Sequence, residues 1–262
     1  MIIVRKIQIP GLPTQKPRRL YIYLPKEYEA PENAEKRYPV LYMYDGHNVF
    51  YDSHATYGRS WRMKQYLART RLPLILVAVE CNPEDHKRLS EYSPWDFSSW
   101  GLSVQGLGKV TMDWLTKELK PAIDAEFRTL PDREHTGIAG SSMGGLMALY
   151  SLVEYNDVFS RAASLSPTLI LNPRHMWELI KNTGLQKPTR LYLDYGSGET
   201  KEKNRDWVLM FKAAQLMTRQ GAHVAARVVP GAMHSEAYWE KRIPVFMDYL
   251  FRFDEKEADL EL

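Results

Sequence analysis

A single cysteine, Cys81, stands in 262 residues, so no disulfide can form within the chain. That excludes the small secreted scaffolds stapled by disulfides and suits a reducing compartment, so a cytoplasmic location is expected. Long apolar runs are also missing, and none approaches the roughly 20 residues that cross a bilayer. The start, MIIVRKIQIPG, has no apolar stretch of leader type and no cleavage-site pattern, so no signal peptide and no membrane partner are expected. Charge of one sign is not in excess: 35 basic against 32 acidic side chains leave +3. The basic residues are scattered apart from small groups such as Arg18-Arg19, which argues against a nucleic-acid partner. Phosphate-binding and dinucleotide-binding glycine motifs are absent. Cys81, Asp85 and His86 are close in sequence but lack a second ligand pair of zinc type. No metal and no cofactor are therefore expected. Repeats, low-complexity segments and linkers are missing too. What remains is a globular composition, 44% hydrophobic and 26% charged, long enough for one large α/β domain over 1–262.

What is present is organised around residues 134–145, EHTGIAGSSMGG. A short run of small and β-branched residues leads into Gly140-Ser141-Ser142-Met143-Gly144, a G-x-S-x-G match. LMALYSLVEY follows, rich in helix formers. Strand, sharp turn and helix are the context in which this motif lifts a serine hydroxyl clear of a sheet. The glycines leave room for the strained turn, and the helix N-terminus offers free N–H groups. An ordinary glycine-rich turn with a capping serine, such as Ser141, is the plainer alternative.

Eight strands are expected, at 2–9, 19–24, 38–44, 74–79, 135–140, 159–165, 190–195 and 223–229. The first two read as an antiparallel edge pair. The others alternate with helical patterns at 60–70, 109–127, 146–155, 173–181, 204–219 and 235–251. This predicts a mostly parallel sheet with helices on both faces. Pro121 and Pro244 should kink or divide their helices. Ser60 and Asn172 are candidate caps, and Val208, Phe211, Leu216 and Met217 a candidate apolar stripe. Residues 81–108 form a long aperiodic segment carrying Tyr92, Trp95, Phe97 and Trp100. Its aromatics either wall a substrate pocket or pin the segment to the core. Residues 254–262 read as a frayed acidic tail.

A serine hydroxyl needs a base, and the base an orienting acid. The α/β-hydrolase chain order is serine, acid, histidine, and this chain offers Ser142, Glu199 and His234, in that order, at strand ends. His234 alone among the seven histidines lies in the loop after the last strand; His47 is its rival. Asp194 and Asp206 compete with Glu199. The backbone N–H groups of Met143 and His47 are the candidate oxyanion donors. Tyr92, Trp95 and Trp100 are candidate substrate contacts.

The pieces RYPVLYMYDGHNVF, ELKPAIDAEFRT, GIAGSSMGGLMALY, GSGE and GAMHSEAYWEKRIP, in this order, resemble an esterase family of the α/β-hydrolase superfamily. Its members include esterase D, feruloyl and acetylxylan esterases, siderophore trilactone esterases and mycolyltransferases. The resemblance runs from about residue 19 to 251 and is nearest the siderophore-esterase branch, in which DG stands for the commoner HG. It implies a serine ester hydrolase with Ser142 as nucleophile, His234 as base and Glu199 where the family's acid falls. Some of that branch are described as using serine and histidine alone. A small acyl, aromatic or siderophore-type ester is the expected substrate. The alternatives are acyl transfer to a sugar or lipid alcohol, and a non-catalytic binding protein of the same fold.

Overall fold

The computed structural model of the chain describes residues 1–13, 16–199 and 205–251. The expected tail at 254–262 and the helix start at Asn204 lie outside them. The strands are β1 (Ile2–Ile7), β2 (Arg18–Tyr23), β3 (Val40–Met43), β4 (Ile75–Val79), β5 (Phe97–Ser99), β6 (Leu102–Val104), β7 (Thr136–Ser141), β8 (Arg161–Leu165), β9 (Arg190–Gly196) and β10 (His223–Val229). Eight of them form one sheet in the order β1-β2-β4-β3-β7-β8-β9-β10. β2 is antiparallel to both β1 and β4, and every other pairing is parallel. These are the eight strands expected from the sequence.

The helices are α1 (Met63–Thr70), α2 (Lys87–Glu91), α3 (Gly108–Trp114), α4 (Lys120–Glu126), α5 (Met143–Glu154), α6 (Pro173–Asn182), α7 (Arg205–Arg219), α8 (Glu236–Glu240) and α9 (Ile243–Phe251). They cover both faces because the strands alternate between two apolar cores. Ile22, Tyr42, Val77, Ile138 and Leu193 join the core under α3, α5 and α7. Their neighbours Tyr23, Met43, Ala78, Ala139 and Tyr192 join the one under α1 and α9. With both faces covered, LILVAV needs no polar alternation.

Prolines divide the helices as expected. A π-helical stretch, Leu115–Leu119, separates α3 from α4, with Pro121 in the first turn of α4. Proline lacks the N–H that an unbroken ladder would need there. Pro244 lies in the first turn of α9, after the break from α8. Two details differ from the sequence reading. Ser60 does not cap α1: Arg62 holds that position at φ 55°, and the Ser60 hydroxyl donates to Asp52 Oδ1 at 2.8 Å. On α7 the buried stripe is Met210, Ala213, Ala214, Leu216 and Met217, while Val208 and Phe211 are 63% and 47% exposed. Val208 lies about 200° around the helix from Met210, so one stripe cannot bury both.

The segment 81–108 carries more order than its sequence suggested. It holds α2 and the β5–β6 hairpin, whose two-residue turn, Trp100-Gly101, has both residues at positive φ. It closes tightly at Gly106, where an added Cβ would lie 2.4 Å from the Trp95 backbone.

Candidate active site

The sheet's central strand, β7, ends in the elbow that carries Ser142. The residue sits at φ 58°, ψ −121°, a conformation L-residues adopt only under constraint. Three backbone hydrogen bonds impose it. Ser142 N donates to Leu165 O at 3.0 Å, and its own carbonyl accepts from Leu146 N at 3.0 Å and Thr168 N at 3.2 Å. The flanking glycines are sterically required: a Cβ on Gly140 would meet Gly144 O, and one on Gly145 would meet Leu165 O, each at 2.6 Å. Both obstacles are backbone. Gly140→Ala is therefore expected to destabilise the fold by about 2–4 kcal/mol, read as a lower denaturation midpoint. A midpoint equal to that of the parent would contradict this account of the elbow.

Strands β9 and β10 supply the other two groups. Glu199 follows the β9 turn and His234 the β10 turn, and His234 Nδ1 lies 2.8 Å from Glu199 Oε2. The Glu199 side chain is 3% exposed and that of His234 is 44% exposed. Glu199 Oε1 accepts from Ser166 Oγ at 2.7 Å, Gly196 N at 2.7 Å and Arg242 Nη2 at 3.0 Å. That oxygen is saturated, so Oε2 is left for the imidazole. Burial pushes the Glu199 carboxyl up, but hydrogen bonds from His234, Ser166 and Arg242 outweigh it and hold it below the ordinary range. The folded pKa is depressed, so its stabilising contribution is complete above the unfolded Glu range and is lost as pH falls through the lower folded value. An ionised carboxylate only accepts. His234 Nδ1 therefore carries the proton, and Nε2 is left as the basic nitrogen.

Ser166, Arg242 and Trp239 were not singled out from the sequence. Trp239 Nε1 and Arg242 Nη1 both donate to Ser166 Oγ, at 3.0 and 3.1 Å. The Trp239 ring meets His234 edge-on, with centroids 4.9 Å apart. The rival acid Asp194 is engaged elsewhere, accepting from Arg242 Nη1 at 2.7 Å and Tyr192 OH at 2.8 Å.

Ser142 and His234 line two adjoining cavities. The larger, about 560 Å³, includes the polar side chains of Asp45, His47, Arg88 and Glu236 in its lining. The smaller, about 330 Å³, includes Trp100, Met143, Thr168, Ile170 and Tyr195. Among the described residues no hydrogen bond joins Ser142 to His234; Ser142 Oγ lies 3.5 Å from Thr168 Oγ1. His47 is the middle residue of the Gly46–Asn48 turn after β3, and its Nε2 lies 3.0 Å from Thr56 Oγ1. Trp100 is 60% exposed at the mouth of the smaller cavity. Tyr92 and Trp95 line neither cavity. Tyr92 is 2% exposed in the core, and Trp95 packs between Tyr150 and His175. They pin the 81–108 segment.

Asp45, His47 and Cys81, rather than Cys81, Asp85 and His86, bring possible metal-ligand atoms together, within 4.8 Å of one another. The Arg88 guanidinium already grips the Asp45 carboxylate, at 2.7 Å through each of two nitrogens. Burial and the Asp45 charge push the Cys81 thiol well up.

A mostly parallel sheet, a strained serine at a strand-to-helix elbow and a carboxylate–histidine pair at later strand ends define a serine hydrolase of the α/β-hydrolase class. More narrowly, the chain belongs to the family described as "Putative esterase", whose sequence model matches residues 13–249, and is a carboxylic-ester hydrolase. It is 25% identical over 246 residues to the uncharacterized protein YbbA of Bacillus subtilis, covering 89% of this chain and 92% of that protein. It is 26% identical over 243 residues to an endo-1,4-beta-xylanase/feruloyl esterase of Xylanibacter ruminicola, covering 91% of this chain but 30% of that longer protein. Its fold is similar to that of an IroE-like serine hydrolase from Shewanella oneidensis, with a TM-score of 0.75, 19% identity, and coverage of 96% of this chain and 80% of that one. Among the described residues no helix is long and apolar enough to cross a membrane.

Proposed function

We propose that Ser142 attacks the carbonyl of a small-molecule ester while His234 Nε2 takes its proton, with Glu199 holding the imidazole. The N–H groups of Met143 and His47 receive the negative charge that develops on the carbonyl oxygen. His234 then protonates the departing alcohol and activates the water that releases the acid from Ser142. The observation that carries this reading is the 2.8 Å contact between His234 Nδ1 and a carboxylate whose other oxygen is fully engaged. The two cavities meeting at Ser142 suit the two halves of an ester. The apolar lining by Trp100, Met143 and Ile170 suits an aromatic or short acyl group, as in feruloyl or siderophore-type esters. The chain then works as one domain, with the 81–108 segment over the site. A cytoplasmic setting suits its lone, buried thiol.

The half-exposed His234 lets water reach the acyl group, which favours hydrolysis over transfer to an alcohol. A panel of p-nitrophenyl esters of increasing acyl length, with and without added alcohol, tests this. Free acid is expected as the main product, with short and aromatic esters preferred. A transferred ester as the main product, or no turnover of any ester, would overturn the reading.

A further inference from the structure

We infer that Arg88 is a positioning residue for the oxyanion loop, acting through Asp45. The inference rests on the assignment of the His47 amide to the oxyanion. His47 lies two residues after Asp45, whose backbone is left-handed at φ 55°, ψ 48°. A non-glycine residue keeps that conformation only where its surroundings hold it. Here they do so from several sides. Arg88 Nε and Nη2 form a two-pronged pair with Asp45 Oδ1 and Oδ2, both at 2.7 Å. The Asp45 N–H donates to Tyr92 OH at 3.0 Å. Arg88 and Tyr92 are one helical turn apart, with the guanidinium 5.2 Å from the centre of the Tyr92 ring. Gly46 is wedged against β4, where a Cβ would lie 2.7 Å from Ala78 backbone atoms. At the loop's far end Asn48 Nδ2 donates to Glu236 Oε1 at 3.1 Å. The loop is thus fixed on both sides of His47.

Arg88 has a second effect on the same loop, through charge. Asp45 is 6% exposed, and its Oδ2 would lie 3.3 Å from a Cβ placed on Gly144. The carboxylate therefore sits against the first turn of α5 at Gly144, the residue after Met143. An unpaired carboxylate there would repel the negative charge that builds on the substrate oxygen, in a setting where water screens poorly. The fork of Arg88 neutralises it, and a guanidinium does so while also fixing the carboxylate's plane. Both effects act on the transition state far more than on bound substrate, so the signature is a loss in kcat at nearly constant KM.

The test is a set of variants assayed on one p-nitrophenyl ester, with phenylboronic acid, which forms a tetrahedral anion on an active serine, as the second probe. Arg88→Gln is expected to lower kcat by roughly 30–100-fold with KM within about threefold, and to weaken boronate binding by a similar factor. Adding Asp45→Asn removes the stranded carboxylate and is expected to restore about tenfold of that loss, which no general loosening of the fold would do. Arg88→Lys keeps the charge without the fork and is expected to fall between parent and Arg88→Gln; it serves if Arg88→Gln does not fold. The inference is overturned if Arg88→Gln raises KM rather than lowering kcat, since Arg88 then binds substrate directly. It is equally overturned if the double variant is as slow as the single one, or if Arg88→Lys is as slow as Arg88→Gln. Ser142→Ala run alongside separates the two levels. If that variant keeps full activity, the assignment of the site fails; if it is inactive and Arg88→Gln equals the parent, only the role of Arg88 fails.

Discussion

Ser142→Ala is expected to hydrolyse p-nitrophenyl esters about 10⁴-fold or more slowly than the parent, and to melt within about 1 °C of it. The rate loss follows because the residual machinery, an oxyanion site and a bound substrate, gives only a small part of the acceleration without a nucleophile. The unchanged stability follows from what the hydroxyl touches. Its contact is with Thr168 Oγ1 at 3.5 Å, long enough to contribute little. The strained backbone of residue 142 is held by main-chain bonds to Leu146, Leu165 and Thr168, which alanine retains. Chemistry and folding are thus separable at this position. A variant that loses activity by unfolding would show a large shift in melting temperature and would not count as support.

Glu199→Gln is expected to lower kcat by about 10³–10⁴-fold, with a smaller effect on KM. The substitution keeps shape and removes charge, so the argument is one of donors and acceptors. Three donors, from Ser166, Gly196 and Arg242, converge on Oε1 and select the amide oxygen for that side. The amide NH₂ then faces His234 Nδ1, which gives up its proton to become an acceptor. The proton moves to Nε2, and the nitrogen needed to deprotonate Ser142 becomes a donor. Arg242 also loses one of its two carboxylate partners, leaving Asp194 alone beside it, so thermal stability falls as well. The measurement is a pH–rate profile of kcat for parent and variant. Retention of more than about a third of parental kcat at neutral pH would leave Ser142 and His234 working as a pair without the acid.

The eight strands were legible because their sequence signal is strong. Runs such as LILVAV are buried on both faces, and each expected strand lies in the one sheet. Ser142, Glu199 and His234 stand out as a candidate set in the sequence because each follows a strand in the α/β-hydrolase order; in the structure Glu199 and His234 are in contact, and Ser142 and His234 line the same two cavities. Ser166, Arg242 and Trp239 left no such mark. A serine before a proline and an arginine between two helices are commonplace, and their link to Glu199 spans 33 and 43 residues. The role of Arg88 was hidden for the same reason, since its partner Asp45 lies 43 residues away. The hairpin β5–β6 escaped because three-residue strands show no periodicity and Trp-Gly is an unusual turn pair. The aromatics of 81–108 divided only in three dimensions, Tyr92 and Trp95 inward and Trp100 to the cavity mouth. The stripe of α7 was misjudged because apolar residues at 207–211 crowd every direction of that helix turn, and only packing against β9 and β10 selects Met210.

The measurement closest to the central claim is the site of acylation. The protein is mixed with a p-nitrophenyl ester, quenched in acid within the first turnover, digested and sequenced by tandem mass spectrometry. The acyl mass is expected on Ser142 in the peptide that spans the elbow, and on no peptide of Ser142→Ala. An acyl group on another residue, or continued hydrolysis with no acylated serine in either protein, would contradict the account.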